Sequence, residues 1–162
     1  MFSGIPRVLL SAGGYTELSA AIRTNVEATE GVLVRTPELA LEITTGGATP
    51  LHVCGMSSAG EHSTALVLDA CRWLGRASAE DIDVRDTWGY TALQRHATNN
   101  LAVGAAALLA AGASHTCASG LEGTGDSARA LALRLRSYAV LRVFQQHELA
   151  QGLPLPDGEI EL

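Results

Sequence analysis

The stretch that decides the fold is Gly47–Cys54, with the sequence Gly-Ala-Thr-Pro-Leu-His-Val-Cys. A threonine that precedes a helix can accept a hydrogen bond from a first-turn amide, so Thr49 is predicted to cap a helix. Pro50 would then occupy the first helical position, where a missing N–H costs nothing. Gly47 permits the positive φ of a tight turn before that helix. The stretch therefore predicts a turn followed by a capped helix whose Leu51 faces the interior.

This phrase recurs three more times along the chain. Clear copies lie at Gly89–Ala97 and Gly14–Ala21, and a weaker copy lies at Gly125–Ala132. The phrases begin at residues 14, 47, 89 and 125, so they are spaced by roughly 33 to 42 residues. Repetition at such a period is typical of folds in which stacked helix pairs bury one continuous core.

On these phrases the chain resembles the ankyrin-repeat proteins, whose repeats carry a Thr-Pro-Leu-His phrase at a period of about 33 residues. The segment Leu108–Ser114 is similar to the closing motif of that family, and Asp81–Gly89 is similar to the finger turn that links its repeats. The resemblance covers Gly14 to Gln146 and is strongest in the second and third repeats. It implies an all-α solenoid of about four helix-turn-helix repeats with short finger turns, the first and last degenerate.

The resemblance also suggests the domain organisation. We expect an N-terminal extension or cap over 1–13, an ankyrin-repeat domain over 14–147 and an acidic, extended C-terminal tail over 148–162. The tail carries four acids, no base and the prolines Pro154 and Pro156. Such a composition predicts a loosely ordered strip. The tail could lie on a partner or merely keep the protein in solution.

The sequence departs from the family pattern at several points. The second repeat is longer, which predicts an extended second helix over Ala65–Leu74 and a longer loop over Gly75–Glu80. Trp73 is expected to pack against the following repeat. Gln94 replaces the histidine of the phrase, so that turn is expected to lose a hydrogen bond. The fourth repeat lacks the proline and the leucine of the phrase, and we expect it to form a C-terminal cap with Ala139–Phe144 as its last helix.

Composition excludes several function classes. Among 162 residues, 47% are apolar and 17% are charged, which excludes wholesale disorder. The net charge of -6 argues against binding to nucleic acid or to anionic membranes. All 11 basic residues are arginine, so no lysine amine is present for Schiff-base chemistry.

The cysteines and the hydropathy pattern bear on the compartment. Three cysteines do not form a disulfide framework, which predicts a reducing intracellular compartment, either the cytoplasm or an organelle interior. No secretory signal is visible, and no apolar run is long enough to span a bilayer. We therefore expect no direct membrane insertion.

Motifs that carry chemistry are weak in this sequence. Hydrolase, dinucleotide, zinc-protease and P-loop motifs are missing. His52, Cys54 and His96 are the residues from which nucleophilic or acid–base chemistry could be built, but each occupies a phrase position that is expected to be packed. We expect Gly123–Ser127 to be a turn between repeats and not an anion site. The sequence thus predicts no catalytic residue, no metal site and no cofactor.

Candidate binding residues follow from the resemblance. Ankyrin-repeat proteins bind partners through the finger tips and the exposed face of the first helix of each repeat. Trp88 and Tyr90 are the principal candidates, because aromatic side chains commonly anchor interfaces, and Arg85 offers a planar donor fork for a carboxylate or a carbonyl. The alternative that Trp88 packs over the neighbouring finger is open. The full set of candidates is Thr45, Ala48, Met56, Ser57, Arg85, Thr87, Trp88, Tyr90, Thr98 and Asn99.

The resulting expectation is a non-catalytic scaffold or adaptor that binds one or more proteins, with no indication of self-association. One alternative is a small structural or accessory subunit built into a large assembly, for example an organellar membrane complex. A third hypothesis, an enzyme with cryptic chemistry, requires His52, Cys54 or His96 to be exposed in a cleft.

Overall fold

A computed structural model describes residues 8–9, 16–44 and 46–162, and helices dominate this part of the chain. The predicted all-α class is therefore confirmed. Of the predicted N-terminal extension 1–13, only Val8 and Leu9 are described. The helices are α1 (Glu17–Thr24), α2 (Val26–Arg35), α3 (Pro50–Cys54), α4 (Thr64–Trp73), α5 (Ala79–Ile82), α6 (Ala92–Thr98), α7 (Ala102–Ala110), α8 (Ala128–Arg134) and α9 (Tyr138–Ala150).

Short elements connect these helices. Two 3-10 helices cover Pro37–Leu41 and Gly60–Ser63. The two-residue strands β1 (Val8–Leu9) and β2 (Glu42–Ile43) pair in parallel. The second 3-10 helix leads directly into α4, which covers nearly the residues predicted for this helix, Ala65–Leu74, but is no longer than α2.

Four helices begin in the same way, because the repeated phrase places a hydroxyl residue just before each of them. The residues before α1, α3, α6 and α8 all have extended backbones with ψ between 165° and 169°. In three cases the hydroxyl accepts a hydrogen bond from an amide of the first turn, and at α3 the imidazole of His52 completes the cap by accepting the Thr49 N–H at 3.1 Å. The four capping residues are Thr16, Thr49, Thr91 and Ser127.

The helices form two rows. The first row consists of α1, α3, α6 and α8, each in contact with the next along the chain, and the second row consists of α2, α4, α7 and α9 in the same order. Each first-row helix also contacts the second-row helix that follows it. Because the apolar face of each pair is covered by its neighbours, the buried side chains join into one core. Its largest members include Leu18, Ile22, Leu41, Leu74, Leu93, Leu108 and Phe144.

The structure shifts the bounds of two predicted connecting segments. The loop predicted over Gly75–Glu80 contains the start of α5, because Ser78 accepts the Asp81 N–H at 3.2 Å and caps a short helix. The tail predicted over 148–162 starts later, since α9 continues to Ala150, and residues 151–162 form no helix or strand. Beyond α9 the chain folds back, and the side chain of Gln145 holds the backbone of Ile160 and Leu162.

Candidate partner-binding groove

The turns between consecutive helix pairs are joined to one another by backbone hydrogen bonds. We call the turns at 46–48, 86–90 and 119–126 the finger turns. The Thr87 N–H donates to the Gly46 carbonyl at 2.9 Å, and the Gly120 N–H donates to the Gly89 carbonyl at 3.0 Å. Gly89 has a φ of +84°, and a Cβ on it would lie 2.2 Å from the carbonyl carbon of Gly120. The close approach of the second and third turns therefore requires glycine at this position.

Buried Asp86 organises the middle finger turn. Its Oδ1 accepts the N–H groups of Trp88 and Tyr90, each at 3.0 Å. Its Oδ2 accepts from Nε and Nη2 of Arg95 at 2.9 and 2.5 Å. The guanidinium of Arg95 lies 4.6 Å from the centre of the Tyr90 ring, a cation–π contact. One carboxylate thus fixes the backbone that presents both candidate aromatic residues.

Four predicted residues meet in one open groove of about 430 Å³. Met56 reaches it from the turn after α3, Trp88 and Tyr90 from the finger turn, and Asn99 from the end of α6. The Asn99 side chain also donates to the Gly55 carbonyl at 2.8 Å, which ties α6 to the turn after α3. Arg95 is the fifth lining residue.

The two alternatives for Trp88 turn out to be compatible. A Cβ built on Gly46 would lie 3.1 Å from the ring of Trp88, so the indole packs against the neighbouring finger turn. The residue nevertheless remains 65% exposed. Trp88 is therefore held by one edge while most of its surface faces solvent.

The remaining candidates are distributed differently. Thr87 and Thr98 are exposed beside the groove and Ser57 is half-buried. Ala48 is buried, so its prediction as a contact residue is wrong. It is the last residue of the first finger turn, where its carbonyl accepts the Thr44 N–H at 2.9 Å. Thr45 lies outside the described residues.

Arg85 is partly committed within the protein. Its Nη1 donates to the Gly89 carbonyl at 2.8 Å and lies 3.4 Å from the Gly120 carbonyl. The side chain, which is half-buried, therefore braces two finger turns against each other. Sequence reasoning missed the more important pair, Asp86 and Arg95. An aspartate at the start of a turn was the available signal, because its side chain commonly accepts from nearby backbone N–H groups.

The candidate chemical residues are buried. His52, Cys54 and His96 are each at most 1% exposed. Burial raises the pKa of the Cys54 thiol to about 12. In the described ranges, no cluster of three or more histidine, cysteine or acidic side chains is arranged to hold a metal ion. The exposed cleft that a Cys–His nucleophile requires is therefore not formed by these three residues.

The expected loss of a hydrogen bond at Gln94 is wrong. His52 Nε2 lies 2.8 Å from the Tyr90 carbonyl and links one helix pair to the next turn. Gln94 makes an equivalent set of bonds, because its Oε1 accepts the Thr91 N–H at 2.9 Å and its Nε2 donates to the Cys117 carbonyl at 3.0 Å. An amide carries one acceptor and one donor group, as the neutral imidazole does.

Trp73 is more exposed than a packed residue would be. The residue is 58% exposed and borders an open depression of about 500 Å³ together with Val34, Leu33 and Pro37. These neighbours belong to the preceding helix pair and its connection. Its packing against the following repeat stays a prediction.

Comparison with known proteins adds no relative. A scan against family models finds no match, and a search of curated proteins finds none either. In the part of the chain that the structure describes, no helix has both the length and the apolar character needed to cross a membrane.

Proposed function

We propose that this chain is an ankyrin-type solenoid that binds a partner protein through its finger turns and first-row helices, without catalysis. Three features support the solenoid. Four helices each begin after a hydroxyl residue with an extended backbone, the helices form two rows, and the finger turns are joined by hydrogen bonds. The observation that carries the function is the convergence of Met56, Trp88, Tyr90 and Asn99 with Arg95 in one groove.

The composition of the groove suits protein recognition. Tryptophan, tyrosine and arginine are the residues that most often dominate binding energy at protein interfaces. Here the aromatic residues are held in place before any partner arrives, because Asp86 accepts both of their backbone N–H groups. A preorganised surface loses less conformational entropy on binding than a mobile one. Asn99 and Arg95 add polar groups to the lining of the groove, as is usual at protein interfaces.

Site-specific photocrosslinking tests this proposal. A photoreactive phenylalanine analogue is placed at Met56 in the groove or, as a control, at Val103, an exposed apolar residue of α7. In native cells we expect position 56 to capture a discrete protein and position 103 to capture none. Adding Trp88→Ala should abolish the capture from position 56. Equal capture from both positions, or capture that survives Trp88→Ala, would contradict the proposal.

One observation favours a second candidate function, a subunit built permanently into a larger assembly. The depression beside Trp73 is apolar and open, and Val34 next to it is 76% exposed. Large exposed apolar patches commonly mark interaction sites. A built-in subunit would keep its neighbours after changes in the groove and lose them after Trp73→Ala.

A further inference from the structure

The last first-row helix carries a charge where the others carry leucine. Arg129 follows the capping residue Ser127 by two positions, as Leu18, Leu51 and Leu93 follow theirs. Those three leucines are buried. The Arg129 side chain is 14% exposed, and a charge so largely removed from water is costly unless it is paired and hydrogen-bonded. The position of Arg129 therefore requires carboxylates close to it.

Two carboxylates neutralise Arg129, one from α9 and one from the segment beyond it. Glu148 accepts from Nε at 2.5 Å and from Nη2 at 2.9 Å. Glu159 accepts from Nη1 at 2.9 Å and makes a second bond to Nη2. His115 Nε2 lies 3.3 Å from the same Glu148 carboxylate. The Arg129 guanidinium holds the pKa of Glu159 below its usual range.

Gln145 contacts the backbone of the same segment. Its Nε2 donates to the Ile160 carbonyl at 2.9 Å, and its Oε1 accepts the Leu162 N–H at 2.9 Å. Its Nε2 also lies 3.3 Å from Glu159 Oε2. The Gln145 side chain is buried, so both halves of the amide are committed to the segment. Arg142 adds a bond from Nε to the Leu162 carbonyl at 3.1 Å.

We propose that Arg129, Gln145 and Arg142 form a binding site for a short acidic peptide from a partner protein, and that residues 159–162 are its intramolecular occupant. Arg129 selects a carboxylate. Beyond that carboxylate, Gln145 and Arg142 bind only backbone groups of the peptide, so they do not restrict the side chains that follow it. This site lies on α8 and α9 and does not depend on the groove at Trp88.

The internal occupant leaves part of the site uncovered. Open depressions of about 280 and 360 Å³ flank the segment, and both are bordered by Tyr138 and Leu162. Ile160 is 80% exposed, and Leu133 at the rim is also exposed. A peptide with the same glutamate and larger apolar side chains after it would bury more apolar area, which favours exchange.

The test uses the full-length chain and a fluorescent peptide with the sequence of residues 153–162. Glu159→Arg places a second positive charge against Arg129 and should release the segment. Glu161→Arg makes the same charge change at an exposed position and is the matched control. We expect the peptide to bind the Glu159→Arg protein, measured by fluorescence anisotropy. Wild type and Glu161→Arg should not bind it, because their own segment occupies the site.

The specificity of the site is tested with altered peptides. A peptide carrying Glu159→Gln should bind the opened protein at least about tenfold more weakly, because it loses the charge-assisted bonds to Arg129. A peptide carrying Glu161→Gln should bind as the unaltered one does.

Circular dichroism checks that each protein variant is folded, and Glu159→Ala serves as the milder opening variant. Failure of the peptide to bind a folded opened variant would overturn the proposal. The proposal would also be overturned if the Glu159→Gln peptide bound the opened variant as tightly as the unaltered peptide does. The same holds if the unaltered peptide bound wild type as tightly as the opened variant.

Discussion

His96 shows how one buried polar side chain can organise its surroundings. Its Nδ1 lies 2.8 Å from the Ala92 carbonyl, and its Nε2 lies 3.0 Å from Thr64 Oγ1. Because a carbonyl can only accept, Nδ1 carries the proton and Nε2 accepts from the threonine hydroxyl. The neutral imidazole is thus satisfied on both sides while it joins α6 to the start of α4.

Protonation of His96 should make the protein sensitive to acid. Burial lowers the pKa of His96 to about 4, the bond to Ala92 opposes this shift and the charge of His52 adds to it. In the unfolded chain the pKa is about 6.5, so the folded state binds fewer protons between these values. The contribution of neutral His96 to the free energy of unfolding is therefore complete above about pH 6.5. About 3 kcal/mol of it is lost as the pH falls to about 4.

Urea unfolding at pH 7.5, 6, 5 and 4 measures this effect. The free energy of unfolding of His96→Ala, which has no imidazole to protonate, should change less over this range. The difference between wild type and variant should shrink as the pH falls. Parallel pH profiles for the two proteins would contradict the assignment of the acid sensitivity to His96.

The repeated phrases of the sequence predict four of the five residues that line the groove, but not the Asp86–Arg95 pair that holds the finger turn. Met56, Trp88 and Asn99 were predicted because exposed positions of a repeat can be transferred by register. Arg95 and Asp86 were not, because their pairing joins the turn to α6 and becomes visible only in the fold. The repeated phrase matches residue types and not hydrogen-bonding groups. It therefore does not reveal that the Gln94 amide can make the bonds that the His52 imidazole makes.

At the scale of helices, α7 contains a glycine that its own sequence does not explain. Gly104 lies inside an alanine-rich helix, where glycine costs about 1 kcal/mol relative to alanine. A Cβ on Gly104 would lie 2.2 Å from His96 Nε2, and a Cβ on Gly55 would lie 2.6 Å from His96 Nδ1. The imidazole of α6 thus occupies the space that side chains at both positions would need.

The effects of His96→Ala and Gly104→Ala should therefore be strongly coupled. Gly104→Ala in the wild-type protein forces the methyl group into the imidazole and should destabilise the fold by about 1 to 3 kcal/mol. His96→Ala removes the imidazole and leaves only Thr64 Oγ1, at 2.6 Å, close to that Cβ. In this background Gly104→Ala should therefore destabilise much less, because helix propensity and cavity filling favour alanine. A double-mutant cycle from chemical unfolding measures the coupling. Additive effects would show that the ring and the glycine do not share this space.

The sequence predicts the starts of the first-row helices better than it predicts the segments that connect or follow the helix pairs. The repeated cap residues mark the start of each first-row helix locally, which is why the phrases predict where these helices begin. The helix α5 also had a local signal, since Ser78 and Asp81 form a capping box. The return of the C-terminal segment had none, because it depends on Arg129 in a different helix.

At the scale of the whole molecule, the two proposed binding surfaces are built on different helix pairs. The groove lies between α3 and α6 and is fixed by Asp86. The acidic-peptide site lies on α8 and α9 and is fixed by Arg129 and Gln145. The residues that line the groove do not line the depressions beside the acidic-peptide site. We therefore expect changes at one surface to leave binding at the other unaltered.

The most direct test of the central claim compares the two tryptophans of the chain. Both are exposed, Trp88 in the groove and Trp73 on α4, so comparing Trp88→Ala with Trp73→Ala separates binding in the groove from binding at the depression beside Trp73. The measurement is quantitative native co-purification from cells, read by mass spectrometry against wild type. We predict that a partner recovered with wild type and Trp73→Ala is depleted at least about tenfold with Trp88→Ala, since tryptophan anchors carry much of an interface's binding energy. Unchanged recovery with Trp88→Ala would contradict the claim that this groove is the binding surface.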